Sequence, residues 1–221
     1  LYNLMSDLAA LIEHTILKPD CSADDVRRIC EEATQNSLVG VCIPPFFVRD
    51  AKRFLGEDSR IRVATVVGFP MGYSAIAAKS EEIRRALDEG VDEIDAVLNI
   101  AAVKSGNWNH VHHDIDGIAR ATSIRGRTSK LIVECGLLTE AEIRQVAEIA
   151  QKVGINYLKT GTGFHGHPAT EAMVRLLKSL AGTTMKVKAS GGIRTRATAD
   201  ALVKAGADRL GTSASLAILG K

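Results

Sequence analysis

The amino-acid sequence predicts an α/β protein built as a single (β/α)8 barrel, and three observations carry that expectation. Short apolar, β-branched runs alternate with longer segments of helical period along the chain. Eight such runs fit within 221 residues, which leaves short connections and little chain for a second domain. Glycine clusters follow the sixth, seventh and eighth runs, where late strand-to-helix turns of a barrel build a phosphate site. Alternation of this kind argues for parallel pairing through right-handed crossovers. The count alone also fits an open, doubly wound sheet. A dinucleotide-binding sheet of that kind would want G-x-G-x-x-G after an early strand, and here the glycines come late. Residues 1–221 are therefore read as one domain.

Taken in order, a short extra helix over Tyr2–Ala10 precedes the first strand. The strands are expected at His14–Leu17, Val39–Ile43, Arg62–Val67, Glu93–Asn99, Lys130–Glu134, Tyr157–Thr160, Lys186–Ala189 and Arg209–Gly211. Each is short and rich in the residues that suit a pleated, buried surface. The helix over Ala23–Asn36 places Val26, Ile29, Cys30 and Ala33 on one face, with Ser22 as its N-cap. Ala75–Glu89 repeats the pattern with Ile76, Ile83, Ala86 and Leu87. Thr139–Val153 opens on a capping box, Thr139 with Glu142, and carries the stripe Ile143, Val146, Ala147 and Ala150. Gly40, Gly90, Gly154 and Gly206 are read as helix ends, where a residue of positive φ is needed.

Composition narrows the class. The chain is 46% hydrophobic and 24% charged, ordinary values for a globular protein. Its 28 basic and 26 acidic residues are interspersed, so no basic stripe for nucleic acid is expected. No apolar run approaches the roughly 20 residues needed to cross a bilayer, and the N-terminal residues lack the pattern of a secretory signal. Cys21, Cys30, Cys42 and Cys135 form no C-x-x-C pair, so reduced thiols and a cytoplasmic location are expected.

In a barrel, side chains at the C-terminal ends of the strands converge on one mouth. Lys159, Lys188 and Asp95 are the candidates for chemistry there. If the two lysines point inward from neighbouring strands, their repulsion in a partly dry cavity would favour a free, nucleophilic amine. The alternative is that either lysine lies on the outer face with its stem packed and its head in water. Asp95 shares a face with Glu93 and could shuttle protons or form a structural ion pair. Gly161-Thr162-Gly163, Gly191-Gly192 and Gly211-Thr212-Ser213 could bring backbone N–H groups against a phosphate, with Arg194 adding charge. Cys42 reads as a core residue within reach of the mouth. His165 and His167 read as loop residues without companions at metal-ligand spacing, and His110, His112 and His113 as a solvated helix face.

The segments Glu13-His14-Thr15-Ile16-Leu17-Lys18-Pro19-Asp20, Val66-Val67-Gly68-Phe69-Pro70 and Glu93-Ile94-Asp95-Ala96-Val97-Leu98-Asn99 carry a further signal. So do Leu158-Lys159-Thr160-Gly161-Thr162-Gly163-Phe164, Lys188-Ala189-Ser190-Gly191-Gly192-Ile193-Arg194 and Arg209-Leu210-Gly211-Thr212-Ser213. In the same order, and over essentially the whole chain, they resemble the deoxyribose-phosphate aldolases, a family of class I, Schiff-base aldolases with a TIM-barrel fold.

The resemblance implies reversible cleavage of 2-deoxy-D-ribose 5-phosphate to D-glyceraldehyde 3-phosphate and acetaldehyde, in deoxyribose phosphate catabolism. It implies that Lys159 forms the imine, that Lys188 perturbs it and that Asp95 moves protons. Gly163, Gly191, Gly192, Gly211 and Ser213 match the phosphate-binding turns, while Thr15, Cys42 and Thr160 match positions near the substrate. Neither metal nor organic cofactor is implied, and a homodimer is. Three departures imply a weaker grip on phosphate. Gly161 replaces a common serine, Ala214 stands where a second serine is frequent, and the tyrosine-bearing tail of some members has no counterpart before Lys221. A lost hydrogen bond of this sort is worth about 1 kcal/mol. Two other functions fit the same turns: an isomerase or lyase working without an imine, and a phosphosugar-binding barrel without catalysis.

Overall fold

Eight parallel strands close on themselves in sequence order, each hydrogen-bonded to the next and the last to the first. The structure is a computed structural model that describes residues 8–221. The strands are β1 (Ile12–Thr15), β2 (Gly40–Ile43), β3 (Arg62–Val67), β4 (Glu93–Val97), β5 (Thr128–Ile132), β6 (Tyr157–Lys159), β7 (Lys186–Ser190) and β8 (Arg209–Thr212). Around them lie α1 (Ala23–Gln35), α2 (Val48–Leu55), α3 (Ile76–Asp88), α4 (Ile100–Lys104), α5 (Trp108–Ser123), α6 (Glu140–Val153), α7 (Glu171–Ala181), α8 (Arg196–Lys204) and α9 (Ser215–Leu219). This is the (β/α)8 barrel. Most of the expected helix at Tyr2–Ala10 lies outside the described residues.

Two apolar regions divide the interior. The larger fills the space between strands and helices, where Val41, Ile94, Leu131, Leu158, Val187 and Leu210 face outward against the helical stripes. The smaller, Cys42 with Ala64 and Val66, lies inside the barrel and is covered by Leu17 and Phe69. Both expected N-caps close reciprocally. Ser22 pairs with Asp25 and Thr139 with Glu142, each satisfying first-turn N–H groups that the helix cannot.

Several boundaries differ from expectation. β1 begins and ends two residues earlier than His14–Leu17, because Ile16 and Leu17 rise past the sheet to the mouth. β5 likewise starts at Thr128, which brings Lys130 to mid-strand beside Asp95. Gly40 ends no helix. It sits in β2 where an added Cβ would meet the Arg62 carbonyl oxygen at 2.6 Å, so glycine permits close strand approach there. Helix α1 instead stops at Asn36, followed by Ser37 with a φ of 52°.

Candidate active site

Parallel register sets the site. Lys159 on β6 lies directly opposite Lys188 on β7, and Asp95 on β4 opposite Lys130 on β5. All four point into the barrel. The Lys159 Nζ donates to Asp95 Oδ2 at 2.7 Å, and the Lys188 Nζ donates to the same oxygen at 2.7 Å. Lys130 holds the other oxygen, Oδ1, at 2.8 Å. Lys188 also donates to Glu13 of β1.

Below them the ion pairs continue to the floor of the barrel. Lys130 lies 3.2 Å from Glu13 and 2.5 Å from Glu93. Arg209 of β8 bridges the same two carboxylates at 2.8 and 3.2 Å, and Arg62 reaches Glu93 from the N-terminal face at 3.0 Å. Three buried carboxylates (Glu13, Glu93, Asp95) thus face four buried cations (Lys130, Lys159, Lys188, Arg209). Isolated charges would be prohibitively costly here, and mutual pairing is what makes their burial tolerable.

The protonation states follow from this lattice. Burial pushes the Asp95 carboxyl up, but Lys130, Lys159 and Lys188 outweigh it and hold the group well below the usual carboxylate range. Burial likewise opposes the charge on Lys188, yet Asp95 and Glu13 prevail and raise its pKa above the ordinary lysine value. The expected repulsion between Lys159 and Lys188 is thus offset at Lys188, because carboxylates lie between and beside the amines. Lys130 is held protonated in the same way by Asp95, Glu13 and Glu93 against its burial. Burial pushes the Cys42 thiol up to about 11, so it is neutral.

A cavity of about 250 Å³ opens above Lys159 at the C-terminal ends of the strands. Of the expected site residues, Thr15, Lys159, Gly163, Lys188, Gly191, Gly192, Arg194, Gly211 and Ser213 line it. Asp95 lies beneath its floor. Cys42 is buried in the small apolar cluster, away from the cavity wall. Thr160 is also outside the wall, its hydroxyl donating to the Ser190 carbonyl and accepting from the Ser190 N–H.

Two glycines are explained by contact. A Cβ at Gly211 would stand 2.9 Å from Lys188 Cε, so its absence lets the Lys188 stem cross toward Asp95. At Gly161 a Cβ would meet Glu134 Oε1 at 2.6 Å. The Glu134 carboxylate is buried there, accepting from the Thr162 N–H and hydroxyl and facing His165 Nδ1 at 3.1 Å. Glycine at this position thus leaves room for a carboxylate that fixes the loop. Glu13, Cys42 and Asp95 bring ligand atoms within 4.8 Å of one another, but the ammonium groups of Lys130 and Lys188 already hold the two carboxylates.

Sequence reasoning missed Glu13, Lys130, Arg209 and the role of Glu93 as a floor residue. An available signal was the number of ionisable residues falling at inward positions of short strands, which demand partners when buried. Lys18 on the cavity wall was missed as well.

The model of the DeoC/LacD family aldolases matches residues 8–221. The chain belongs to the DeoC/LacD aldolase family. Among relatives of known name, a deoxyribose-phosphate aldolase from Desulfitobacterium hafniense is 46% identical over 213 residues, covering 96% of this chain and 97% of that protein. Another from Thermococcus gammatolerans is 41% identical over 214 residues, covering 96% of this chain and 95% of that one. Among solved structures, the aldolase QR15 superposes with a TM-score of 0.90 at 35% identity, covering 97% of this chain and 95% of that one. The deoxyribose-phosphate aldolase of Aeropyrum pernix, described as tetrameric, gives 0.89 at 29% identity, covering 98% and 91%. The barrel of this DeoC/LacD aldolase is therefore the fold of its family.

Proposed function

We propose that this chain is one aldolase domain that reversibly cleaves 2-deoxy-D-ribose 5-phosphate to D-glyceraldehyde 3-phosphate and acetaldehyde through an imine on Lys159. The observation that carries this is a single carboxylate oxygen, Asp95 Oδ2, shared by the amines of Lys159 and Lys188 beneath a cavity whose wall, among the described residues, bears no acidic side chain. The buried lattice holds one more cation than carboxylates, so losing one proton neutralises it. Among the described residues Lys159 has a single carboxylate contact, whereas Lys188 and Lys130 have two or more. It is the amine of the three with the fewest ion pairs to give up.

The chemistry then follows from the products. Neutral Lys159 attacks the C1 aldehyde of the open-chain sugar, and the carbinolamine loses water to give a protonated imine. Two-carbon and three-carbon products require the C2–C3 bond to break. Its electron pair moves to C2 and into the imine nitrogen, forming an enamine, while the C3 hydroxyl proton passes to the Asp95–Lys188 pair. Glyceraldehyde 3-phosphate leaves with its new carbonyl at the former C3. Protonation of C2 and hydrolysis of the imine release acetaldehyde and restore Lys159. The cationic imine is the electron sink, so the sequence of steps calls on no metal. Gly163, Gly191, Gly192, Gly211 and Ser213 hold the phosphate, with Arg194, and so fix C1 against the amine.

Borohydride reduction in the presence of acetaldehyde tests this directly. An ethyl group is expected on the peptide containing Lys159, and turnover should survive chelation of metal ions. Absence of that adduct, with the protein folded, would favour an imine-independent isomerase or lyase. Binding of the sugar phosphate without any turnover would favour a non-catalytic barrel. The same proposal places the enzyme in the cytoplasm, and as a homodimer, an assembly that light scattering of the purified chain checks. A tetramer, the assembly described for the Aeropyrum relative, would overturn that part alone.

A further inference from the structure

Among the described residues, four cationic side chains and no acidic one line the cavity. Lys159 and Lys188 are paired with Asp95, and Lys188 with Glu13 as well. The other two, Lys18 and Arg194, make no ion pair with any described residue. Lys18 stands in the loop after β1 and Arg194 in the turn after β7, and closure of the barrel sets β8 between those strands. The two free cations therefore flank the Gly211–Ser213 turn from opposite sides.

The backbone around Lys18 is held in place. Ile16 N–H donates to the Cys42 carbonyl at 3.0 Å, and Cys21 N–H donates to the Lys18 carbonyl at 3.3 Å. Pro19 follows with a fixed φ, and Ser22 anchors the chain to α1 two residues beyond Asp20. Leu17 packs on the small apolar cluster inside the barrel, so the neighbour of Lys18 is fastened at the mouth.

We propose that Lys18 is a phosphate-binding residue that, together with Arg194, determines preference for a phosphorylated sugar. The assignment rests on the proposed function above. A phosphate monoester near neutral pH carries close to two negative charges. Glycine-turn N–H groups supply only partial charges, and Gly161 and Ala214 carry no hydroxyl to add to them. One full positive charge from Arg194 leaves the dianion half neutralised. A second from Lys18 completes the match, and its flexible stem lets the hydrated ammonium reach the ligand without disturbing the fold.

Steady-state kinetics of the full chain with 2-deoxyribose 5-phosphate and with unphosphorylated 2-deoxyribose test this. The readout is the ratio of kcat/KM for the two sugars. Lys18→Gln should lower that ratio about tenfold or more, the usual effect of losing a hydrogen bond between charged groups. It should weaken competitive inhibition by inorganic phosphate by a similar factor. Lys18→Arg, which keeps the charge, should retain the preference to within about threefold. An unchanged ratio in Lys18→Gln, or an equal loss on both sugars, would overturn the assignment. A wild-type chain that forms the imine but shows no preference for the phosphorylated sugar would remove the phosphate cradle itself. Failure of imine trapping in the wild type would remove the aldolase reaction instead, so the two failures are separable.

Discussion

Glu13 joins the reactive lysines to the floor of the barrel, accepting from Lys188 above and from Arg209 below. Burial pushes its carboxyl up, but Lys130 and Lys188 outweigh that and hold its pKa at about 2 instead of 4.5. Because the folded value is the lower one, the stabilisation is complete above about 4.5 and is lost as the pH falls toward about 2. A shift of this size corresponds to about 3 kcal/mol. Glu13→Gln should therefore lower stability near neutral pH by roughly that amount and flatten the acid limb of stability between those values, as read by urea denaturation over a pH series. A wild-type-like acid limb in the variant would contradict the assigned role. At Gly211 the prediction concerns catalysis. A methyl group there would press on Lys188 Cε, so Gly211→Ala should reduce kcat about a hundredfold through misplacement alone. Circular dichroism should show the fold retained.

At the scale of elements, the connection between α3, β4 and α5 depends on a buried ion pair outside the proposed catalytic machinery. Lys79 of α3 donates to both oxygens of Asp114 on α5 at 2.9 and 2.8 Å, and to the Val97 carbonyl at the end of β4 at 2.8 Å. Burial pushes the Lys79 ammonium down, and Asp114 opposes that shift. Removing the counter-charge leaves a buried cation uncompensated, so Asp114→Ala should cost about 3–5 kcal/mol in denaturant unfolding. An effect under 1 kcal/mol would mean that water takes over the aspartate's place. Local sequence was sufficient for most element positions. Thr139 with Glu142 announced α6, and β3 matches its expected range residue for residue. The errors cluster where an apolar run outlasts the strand, as in Ile16 and Leu17, or where a glycine serves packing rather than a helix end, as in Gly40. Neither difference is encoded in local period, since both depend on what the neighbouring strand presents.

For the molecule as a whole, closure sorts charge along the barrel. Compensated ion pairs fill the interior, and uncompensated cations stand at the mouth. Interior pairs are screened little by salt, whereas a charged mouth open to water is screened strongly. Raising ionic strength to about 0.5 M should therefore increase KM for the sugar phosphate several-fold while leaving kcat nearly constant. A fall in kcat with unchanged KM would place the salt-sensitive charges in the interior instead. The alternation of strands and helices, the late glycine turns and the candidacy of Lys159, Lys188 and Asp95 are all legible in the order of residues alone. Periodicity and motif are properties of adjacent residues and survive without a fold. The partners of those residues are set by the closed barrel. Glu13 and Arg209 meet across 196 positions of chain, and Lys188 and Glu13 across 175, because the eighth strand returns to the first. Whether an inward lysine is discharged by another lysine or held charged by a carboxylate depends on that closure, since Coulomb energies follow distance in space.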